Sequence, residues 1–338
     1  MILVTGATGH VGANLVRALI ERGERVRVMA RADRRGIEGL DIEIVEGDLR
    51  HREDVARAVK GVRRIYHLAA YVSLRAADRQ MLFDVNVLGT RKVMMAALEA
   101  GVERVVHCSS FGAIGRAPNG GVSDETFTLN PAHVELEYEA SKALAEHEVL
   151  RAALAGLDVT IVNPSGIVGG LDFKPSSVGQ TTLDFCHGRM PAYVPGAFEF
   201  VAVDDVVSGH LLAMEKGKKG ERYILTGEHR SLGEVLTWLE EITGVRKPRI
   251  ALSPAVMERV AVVKDWVEKT WLPHRAPRFT RDTIRLLNSG KRGTNEKART
   301  ELGWQPTSLR DAFAQQARWF AEQGQLPPHV AARLQAPV

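Results

Sequence analysis

The sequence is short of cysteine and has no long apolar run. Its 338 residues contain only two cysteines, Cys108 and Cys186, which argues against a secreted disulfide scaffold and favours a reducing cytoplasm. No stretch approaches the roughly 18 consecutive apolar residues of a membrane-spanning helix, so we expect no membrane span. A strand candidate, MILVTG, starts at residue 1, and we therefore expect no signal peptide ahead of the fold.

Charge of one sign is also in little excess, since the net charge is +4 and the isoelectric point about 9.1. Arginines cluster at residues 31–35 and 50–64. No nucleic-acid-binding motif accompanies them, so a solvated basic surface is the favoured interpretation and no nucleic-acid partner is expected. The 11 histidines show neither an HExxH pattern nor a Cys/His ligand spacing, which predicts no metal site.

The first half of the chain alternates between strand and helix patterns. The segments ILVTG, RVRVMAR, DIEIVEGDL, VRRIYHLAA and VERVVHCSS read as strands separated by helices, and LDVTIVNPSGIVGG supplies a sixth strand with its loop. Strands that alternate with helices form parallel sheets covered on both faces. The pattern predicts an α/β fold of the Rossmann type, with a doubly wound parallel sheet.

After residue 170 the pattern changes, and prolines and glycines become dense over Pro175–Gly196. We assign residues 1–170 to a nucleotide-binding domain, to which a segment at about 197–227 returns. Residues 171–196 and 228–338 are predicted to form a smaller, mainly helical part that binds the substrate.

Two helices are expected late in this C-terminal part. One covers Ala255–Thr270, and its apolar face favours a packing or cap role over a membrane anchor. The other covers Ser308–Gly324, is amphipathic and ends in glycine.

The stretch TGATGHVG lies between the first strand and the first helix and places Gly6, Gly9 and Gly12 three residues apart. Glycine permits a tight turn and the close approach of a pyrophosphate, and the helix N-terminus that follows offers unpaired N–H groups. The spacing is GxxGxxG rather than the common GxGxxG. Its position between strand and helix nevertheless predicts a dinucleotide-binding turn rather than an ordinary loop.

The end of the second strand indicates which dinucleotide is bound. A carboxylate there accepts from the ribose 2′-hydroxyl of NAD, whereas a basic residue favours the 2′-phosphate of NADP. The stretch VMARADRR has Arg31 at this place, with Asp33 further out and Arg34 and Arg35 nearby. We therefore expect NADP(H), with NAD(H) as the alternative. Asp48, after the third strand, is expected on the adenine side.

The stretch YEASK places Tyr138 and Lys142 four residues apart, on one face of a predicted helix. The spacing alone allows two interpretations, a chance surface pair or an acid and the cation that tunes it. A tyrosine phenol with a pKa near 10 is a poor acid–base group at neutral pH. A lysine cation one helical turn away stabilises the phenolate and lowers that pKa.

Six motifs occur in one order along the chain: TGxxGxxG, HLAA at 67–70, Asn86 in NVLGT, the serine pair 109–110, YxxxK at 138–142 and NPSGIVGG at 163–170. This set closely resembles the extended short-chain dehydrogenase/reductase superfamily over nearly the whole chain. Within it the sequence is similar to the dihydroflavonol-4-reductase-like branch. It is most similar to hopanoid-associated sugar epimerase proteins of the NAD-dependent epimerase/dehydratase family, through residues 172–196 and 203–228.

The resemblance implies a catalytic set. Tyr138 matches the general acid of the family, and Lys142 matches the lysine that tunes it. Ser110 matches the serine that orients the carbonyl oxygen, with Ser109 as the second choice. A general acid of this kind contributes roughly 10²–10⁴-fold, and the hydride comes from the cofactor.

The resemblance also implies two sets of contacts and an assembly. The cofactor-binding set comprises Gly6, Thr8, Gly9, His10, Val11, Gly12, Arg31, Asp48, Leu49, Leu68, Ala69, Ala70, Tyr138, Lys142, Pro164, Ser165 and Ile167. The substrate set comprises Ser110, Phe111, Lys174, Thr182, Phe185 and Tyr193. Helices around 84–100 and 138–154 form the dimer interface in many relatives, so a homodimer is expected.

Three functions compete. The favoured one is an NADP(H)-dependent reductase of a ketone or aldehyde on a hydrophobic small molecule. The second is a nucleotide-sugar epimerase or dehydratase, which needs arginine to hold the substrate diphosphate. Here the matching residues 196–198 are apolar, Glu199 follows them, and Lys174 is the only obvious cation nearby in sequence. The third is a non-catalytic dinucleotide sensor, which requires a broken catalytic set, whereas this set is intact.

Overall fold

The computed structural model of the chain describes residues 1–134, 136–253 and 290–335. The helix predicted over Ala255–Thr270 lies outside these residues. The helix predicted over Ser308–Gly324 is present as Leu309–Glu322.

Strands occur throughout the described residues. They are β1 (Ile2–Thr5), β2 (Val26–Ala30), β3 (Glu43–Glu46), β4 (Arg64–His67), β5 (Arg104–Cys108), β6 (Val122–Ser123), β7 (Val159–Pro164), β8 (Gly166–Val168), β9 (Ala192–Tyr193), β10 (Ala197–Ala202), β11 (Arg222–Leu225), β12 (Glu228–Ser231), β13 (Ile250–Ala251) and β14 (Arg292–Gly293). Seven of them form the central sheet in the order β11-β7-β5-β4-β1-β2-β3. Every pair in this sheet is parallel, so the predicted Rossmann-type sheet is confirmed.

The order of the strands locates a binding crevice. β1 pairs with β2 on one side and with β4 on the other, so the chain reverses its direction of travel across the sheet at β1. In open α/β sheets, ligands bind outside the carboxyl ends of the strands at such a switch point. The glycine-rich turn follows β1 and therefore lies at this crevice.

Helices cover the sheet and build the C-terminal part. They are α1 (His10–Glu21), α2 (Arg52–Val59), α3 (Arg79–Leu82), α4 (Thr90–Glu99), α5 (Glu137–Leu154), α6 (Ser177–Cys186), α7 (Val203–Lys216), α8 (Leu232–Thr243), α9 (Leu309–Glu322) and α10 (Pro328–Gln335). A π-helical segment, Phe83–Gly89, joins α3 to α4. The inserted residue of a π-helical turn changes the direction of the side chains around it, which is why such turns are frequent at functional sites.

Apolar residues at helical spacing cover both faces of the sheet. On one face, Leu15 and Leu19 of α1 and Val206 of α7 are buried against the strands. On the other face, Val93 of α4 and Val149 of α5 are buried in a second cluster. Each fully buried aliphatic side chain of this kind contributes about 1.5–3 kcal/mol, and together they fix the strand ends that carry the polar residues described below.

A third cluster forms the core of the C-terminal part. Phe313 and Phe320 of α9 are buried there with Leu239 of α8 and Phe200 of β10. Part of the segment at about 197–227, which is expected to return to the nucleotide-binding domain, lies against the central sheet, because α7 packs on β5 and β7, and β11 joins this sheet. Its first strand, β10, instead pairs with β8 and β12. The division of the chain into domains stays a prediction. Within the described ranges, every helix is too short or too polar to cross a membrane.

Candidate active site

Glycines shape the turn between β1 and α1. Gly6 has a positive φ of 75°, and a Cβ there would lie 2.6 Å from the backbone nitrogen of Ala69. A Cβ at Gly12 would lie 2.1 Å from the carbonyl oxygen of Gly6. Side chains at these two positions would collide with backbone, so only glycine allows the turn to fold this closely.

The N-terminus of α1 is open to an anion. The helix begins at His10 after Gly9, with no side-chain cap and no acidic residue in its first turn, so its N–H groups and positive dipole end are available. These features fit the pyrophosphate of a dinucleotide. Thr8 and Val11 are half-buried beside it. His10 Nε2 lies 3.0 Å from the Gly170 carbonyl oxygen, and burial lowers the pKa of His10, so its neutral ring ties α1 to the loop after β8.

Hydrogen bonds lock the end of β4 to β1. His67 Nδ1 lies 2.7 Å from Thr5 Oγ1 and His67 Nε2 lies 3.0 Å from Thr90 Oγ1. Burial lowers the pKa of His67 to about 3, so the ring is neutral. The Leu68 backbone N–H donates to the carbonyl oxygen of Thr5 at 3.1 Å. These bonds fix residues 68–70 against the glycine turn, where the dinucleotide motif places them.

Charged groups beyond β2 and β3 are mostly paired with one another. Arg34 bonds Glu46, and Arg35 bonds Asp33 through two nitrogens. After β3, Asp48 is paired with Arg50, whose hydrogen bond lowers the pKa of the Asp48 carboxyl to about 2. The next residue, Leu49, is buried against Gly89. The guanidinium of Arg31 is exposed and has no hydrogen bond or ion pair within the described part of the chain. Arg31 is therefore the arginine of this group that is free to meet a phosphate.

The two serines after β5 have different partners. Ser109 is buried, and its hydroxyl donates to the carboxylate of Glu146. Ser110 is half-buried, and its hydroxyl accepts from the Gly112 backbone N–H at 3.1 Å. Burial raises the pKa of the Tyr138 phenol to about 12, whereas a hydrogen bond with Ser110 acts in the opposite direction. Ser110 is thus the serine that meets Tyr138.

Lys142 lies one turn of α5 beyond Tyr138. Its side chain is buried, and Nζ donates to the carbonyl oxygen of Cys108 at 2.8 Å. Burial lowers the pKa of Lys142, while Cys108 and Glu146 raise it. The lysine is therefore held at the carboxyl end of β5, beside the strand end that leads to Ser110.

Asn86 anchors the start of α5 from the π-helical segment. Its Oδ1 accepts from the Tyr71 backbone N–H at 2.7 Å, and its Nδ2 donates to the Tyr71 carbonyl oxygen at 3.0 Å. Nδ2 also donates to Ser141 Oγ at 2.9 Å, and that hydroxyl donates to the Tyr138 carbonyl oxygen at 2.7 Å. Ser141, the serine between tyrosine and lysine, thus fastens the turn of helix that carries both.

Residues 2–226 match the family model for the NAD dependent epimerase/dehydratase family. The chain belongs to this family. The membership expected from the six motifs is confirmed, and with it the extended short-chain dehydrogenase/reductase architecture. Members of this family bind NAD or NADP, which agrees with the glycine turn and the open N-terminus of α1.

Three relatives of this family member span most of its length. It is 56% identical over 326 residues to the sterol demethylase protein B of Methylococcus capsulatus. This match covers 96% of this chain and 99% of that protein. It is 39% identical over 329 residues to a dihydroflavonol 4-reductase-like protein of Synechocystis, covering 95% and 94%. It is 30% identical over 330 residues to a 3 beta-hydroxysteroid dehydrogenase/Delta 5→4-isomerase of Mycobacterium tuberculosis, covering 90% and 86%.

Solved structures share the fold of this family member. The crystal structure of gox2253 has 42% sequence identity and a TM-score of 0.84, and the match covers 97% of this chain and 99% of that one. A UDP-glucose 4-epimerase of Thermotoga maritima has 24% identity and a TM-score of 0.76, with 95% and 99% covered. At that identity the second likeness concerns the fold alone.

At the end of β7, Pro164 closes the strand and Ser165 begins the turn into β8, where Ile167 pairs with Val201. The Ser165 hydroxyl is buried and has no hydrogen-bond partner among the described residues. A buried orphan hydroxyl costs free energy unless a ligand or water satisfies it. This position therefore fits the edge of a cofactor site.

The C-terminal segment covers Phe111, the residue after Ser110. Lys291 Nζ donates to the Phe111 carbonyl oxygen at 2.7 Å and also to that of Ile114. The same Nζ lies 4.3 Å from the centroid of the Phe111 ring, and a Cβ at Gly293 would lie 2.6 Å from that ring. Strand β14 thus packs on the aromatic ring of the residue that follows Ser110.

Two residues expected to contact substrate lie elsewhere in the structure. Thr182 and Phe185 are buried in the core of the C-terminal part, with exposures of 0% and 1%. The Thr182 hydroxyl donates to Gln316 Oε1 at 2.8 Å. These two side chains pack the core and leave no surface for a ligand, so we remove them from the proposed substrate site.

The other two candidates differ in place. Lys174 is exposed, and its charge adds to that of Arg35 in lowering the pKa of Asp33 to about 2. Lys174 therefore lies toward the loop after β2. Tyr193 is half-buried in β9, next to Gly233.

Three charged residues near Tyr138 were missed by the reasoning from sequence. Glu139 follows Tyr138 directly, and burial raises its pKa, which Lys291 opposes. Burial lowers the pKa of Lys291 to about 8. Glu146 continues the four-residue spacing of Tyr138 and Lys142, which was a usable signal. Lys291 carried no such signal, because its bond to Phe111 spans 180 residues of sequence.

Proposed function

We propose that the protein is an NADP(H)-dependent oxidoreductase that reduces a ketone or aldehyde on a hydrophobic small molecule. One observation supports this above the others. Ser110, Tyr138 and Lys142 come together at the carboxyl end of β5, on the same edge of the sheet as the glycine turn after β1. A proton donor, a hydroxyl that orients a carbonyl and a cation are the groups that hydride transfer to a carbonyl requires of the protein.

Each residue has a separate role in this proposal. When bound, a nicotinamide cofactor supplies the hydride. Tyr138, protonated because burial raises its pKa to about 12, donates its proton to the carbonyl oxygen as negative charge develops there. Ser110 donates a hydrogen bond to the same oxygen and so holds it against the phenol. Lys142 stabilises the phenolate that results, and the proton is replaced from solvent.

For the cofactor we propose NADP(H) over NAD(H). Recognition of the NAD ribose needs a free carboxylate near the end of β2. Asp33 is bonded to Arg35, and Asp48 to Arg50, whereas the guanidinium of Arg31 is unpaired within the described residues. An arginine binds a phosphate through charge-assisted hydrogen bonds.

For the substrate we propose a ketone or alcohol on a bulky apolar skeleton, with sterols as the first class to test. Phe111, the residue after Ser110, and the half-buried Tyr193 are the aromatic side chains that remain in the predicted substrate set. Two relatives, a sterol demethylase protein and a 3 beta-hydroxysteroid dehydrogenase, are named for chemistry on such skeletons. The same proposal places the protein in the cytoplasm, where its free Cys108 and Cys186 stay reduced.

The surroundings of Glu199 disfavour a nucleotide-sugar substrate. Its carboxylate accepts from Thr226 Oγ1 at 2.8 Å and lies 3.3 Å from His229 Nδ1. Phe198, beside it, packs against Phe200 at a ring-centroid distance of 5.8 Å. A buried negative charge and an aromatic pair lie at this place, and the neighbouring Arg230, which pairs with Phe198 across β10 and β12, is already bonded to Glu228.

We also propose a homodimer formed through α4 and α5. Met95 of α4 and Leu150 and Leu154 of α5 are exposed apolar side chains, with Leu154 91% exposed. The two helices pack against each other. A second copy of the chain would bury these side chains.

The test of the reaction uses the purified protein, NADPH and a panel of carbonyl compounds that includes cholestanone, a short aliphatic ketone and an aromatic aldehyde. Loss of NADPH absorbance with cholestanone, faster than with the short ketone, is the expected result. If the protein binds NADPH but turns over none of the compounds, in either direction of the reaction, a non-catalytic dinucleotide sensor is favoured.

A further inference from the structure

The buried carboxylate of Glu146 extends the line of polar residues on α5. Tyr138, Lys142 and Glu146 follow one another at four-residue intervals, so they lie on one face of the helix. Only 4% of the Glu146 side chain is exposed. A carboxylate so deeply buried costs free energy unless several donors hold it.

The two side chains that donate to Glu146 Oε1 both lie next to Ser110 in the structure. The Ser109 hydroxyl donates to Glu146 Oε1. Asn163 Nδ2, from β7, donates to the same oxygen at 2.6 Å and to the carbonyl oxygen of Ser110 at 3.0 Å. Glu146 therefore holds the backbone of Ser110 by two routes. One runs through the neighbouring residue Ser109, and the other runs through Asn163, which bonds the Ser110 carbonyl oxygen.

The charges around Glu146 come from several elements. Arg222 of β11 lies 3.3 Å from Glu146 Oε2, and Lys142 of α5 and Lys291 of the C-terminal segment feel its charge. A cavity of about 250 Å³ adjoins the carboxylate. Its other charged or titratable lining residues are Glu125, His147, Glu221 and Lys297.

We propose that Glu146 is a positioning residue for the reaction described under Proposed function, on which this inference rests. Its carboxylate holds Ser110 in place opposite Tyr138, and its negative charge sustains the ammonium form of Lys142. Glu146 touches neither substrate nor cofactor in this assignment. It acts through Ser109, Asn163 and Lys142.

The sign of the pH effect follows from the groups that face Lys142. Besides Glu146, these are Tyr138 of α5, His67 of β4, and His107 and Cys108 of β5. The histidines are neutral at pH 7, because burial lowers their pKa. Removal of the Glu146 charge lowers the pKa of Lys142, since a nearby negative charge favours its protonated form. Activity is then lost at lower pH.

The experiment compares Glu146→Gln and Glu146→Asp with the wild type, using the carbonyl compound of the panel that turns over fastest. Glu148→Gln is the matched control, since Glu148 lies on the same helix and is ion-paired with Arg91 and Arg151, away from Ser110. We expect Glu146→Gln to lower kcat about tenfold, the effect of a misplaced reacting group. The alkaline limb of its pH profile should move down by about half a pH unit or more.

Glu146→Asp should show the alkaline limb of the wild-type pH profile. Glu148→Gln should show both the wild-type kcat and the wild-type alkaline limb. The dissociation constant of NADPH, measured by fluorescence, should stay within about twofold in every variant, because the glycine turn is untouched. An unshifted limb with kcat within about twofold in Glu146→Gln would overturn the proposal. If Glu146→Gln does not fold, Ser109→Ala removes one donor and keeps the charge. It should lower kcat about threefold with an unmoved limb, and an unchanged kcat would then overturn it.

Failure of this inference differs from failure of the proposed function. If the wild type turns over no carbonyl compound, or Tyr138→Phe keeps full turnover, the proposed function is wrong. If both behave as proposed but Glu146→Gln resembles the Glu148→Gln control, the positioning role alone is wrong.

Discussion

The amino group of Lys142 donates a hydrogen bond to the carbonyl oxygen of Cys108 at 2.8 Å. Cys108 ends β5, two residues before Ser110, so this bond joins α5 to the strand end that leads to the serine. Because the acceptor is a backbone atom, any side chain at position 108 would preserve it. An ammonium group has three donors, so this bond leaves two, which in the proposed reaction would meet the cofactor ribose and the developing phenolate.

Tyr138→Phe tests the proton donor. The substitution removes the hydroxyl and keeps the ring, so we expect turnover of the best carbonyl compound to fall at least about 10²-fold. NADPH affinity should be nearly unchanged. Tyr71→Phe, which removes a hydroxyl bonded to Asp78 at 3.2 Å, is the control and should retain turnover. Normal turnover in Tyr138→Phe would refute the assignment.

Arg31→Ala tests the cofactor preference. We expect the wild type to bind NADPH more tightly than NADH, and the variant to lose about tenfold or more in NADPH affinity while its NADH affinity changes little. Fluorescence titration of both nucleotides measures this. Arg35→Ala is the matched control, because Arg35 is engaged by Asp33. A preference for NADPH that survives Arg31→Ala would show that another group reads the phosphate.

Isothermal titration with UDP-glucose separates the proposed reaction from nucleotide-sugar epimerisation. The protein is first loaded with NADPH, and we expect no binding of UDP-glucose at about millimolar concentration, because a diphosphate leaving water needs cationic partners. Binding of cholestanone to the same sample is the positive comparison. Micromolar affinity for UDP-glucose would place the epimerase first.

Three buried histidines predict a loss of stability in mild acid. Burial lowers the pKa of His67 to about 3, that of His210 to about 4 and that of His107 well below its ordinary value of 6.5. Below pH 6.5 the unfolded chain binds protons that the folded chain does not, so stability falls as pH falls toward the folded-state values. The slope is roughly 1.4 kcal/mol per pH unit for each histidine.

Urea unfolding at a series of pH values checks this slope. The expected result is a free energy of unfolding that is flat near neutrality and decreases from about pH 6 downward. His210→Gln removes one of the three titrating rings and should make the decrease less steep. A free energy of unfolding that stays constant down to about pH 5 would contradict the buried, neutral state of these rings.

Much of the nucleotide side of the site could be predicted from sequence, because it depends on local chemistry. The glycines at 6 and 12 predict a tight turn, and in the structure a Cβ at either position would collide with backbone atoms. Tyr138 and Lys142 share a helix face by spacing alone. The sheet follows from apolar strands at regular intervals, whose parallel pairing leaves few alternative orders.

The substrate side could not be predicted in the same way, because it depends on tertiary packing. Thr182 and Phe185 have the mixed character of pocket residues, but α9 covers them in the fold. The choice between Ser109 and Ser110 required the position of Glu146, which lies 37 residues from Ser109. The segment at about 197–227 is expected to return to the nucleotide-binding domain, but the pairing of its strand β11 with β7 depends on long-range contact.

The way in which late residues complete the early core has a consequence for biosynthesis. Trp304 is fully buried among residues of α1 and α7, with its indole N–H donating to the Asp205 carbonyl oxygen at 2.8 Å. Lys291 and β14 cover Phe111 from the same late stretch. A nascent chain that ends after residue 226, although it contains the whole family-matched segment, lacks both closures. The first core and the wall of the candidate site beside Phe111 are therefore completed only when residues beyond 290 fold onto them.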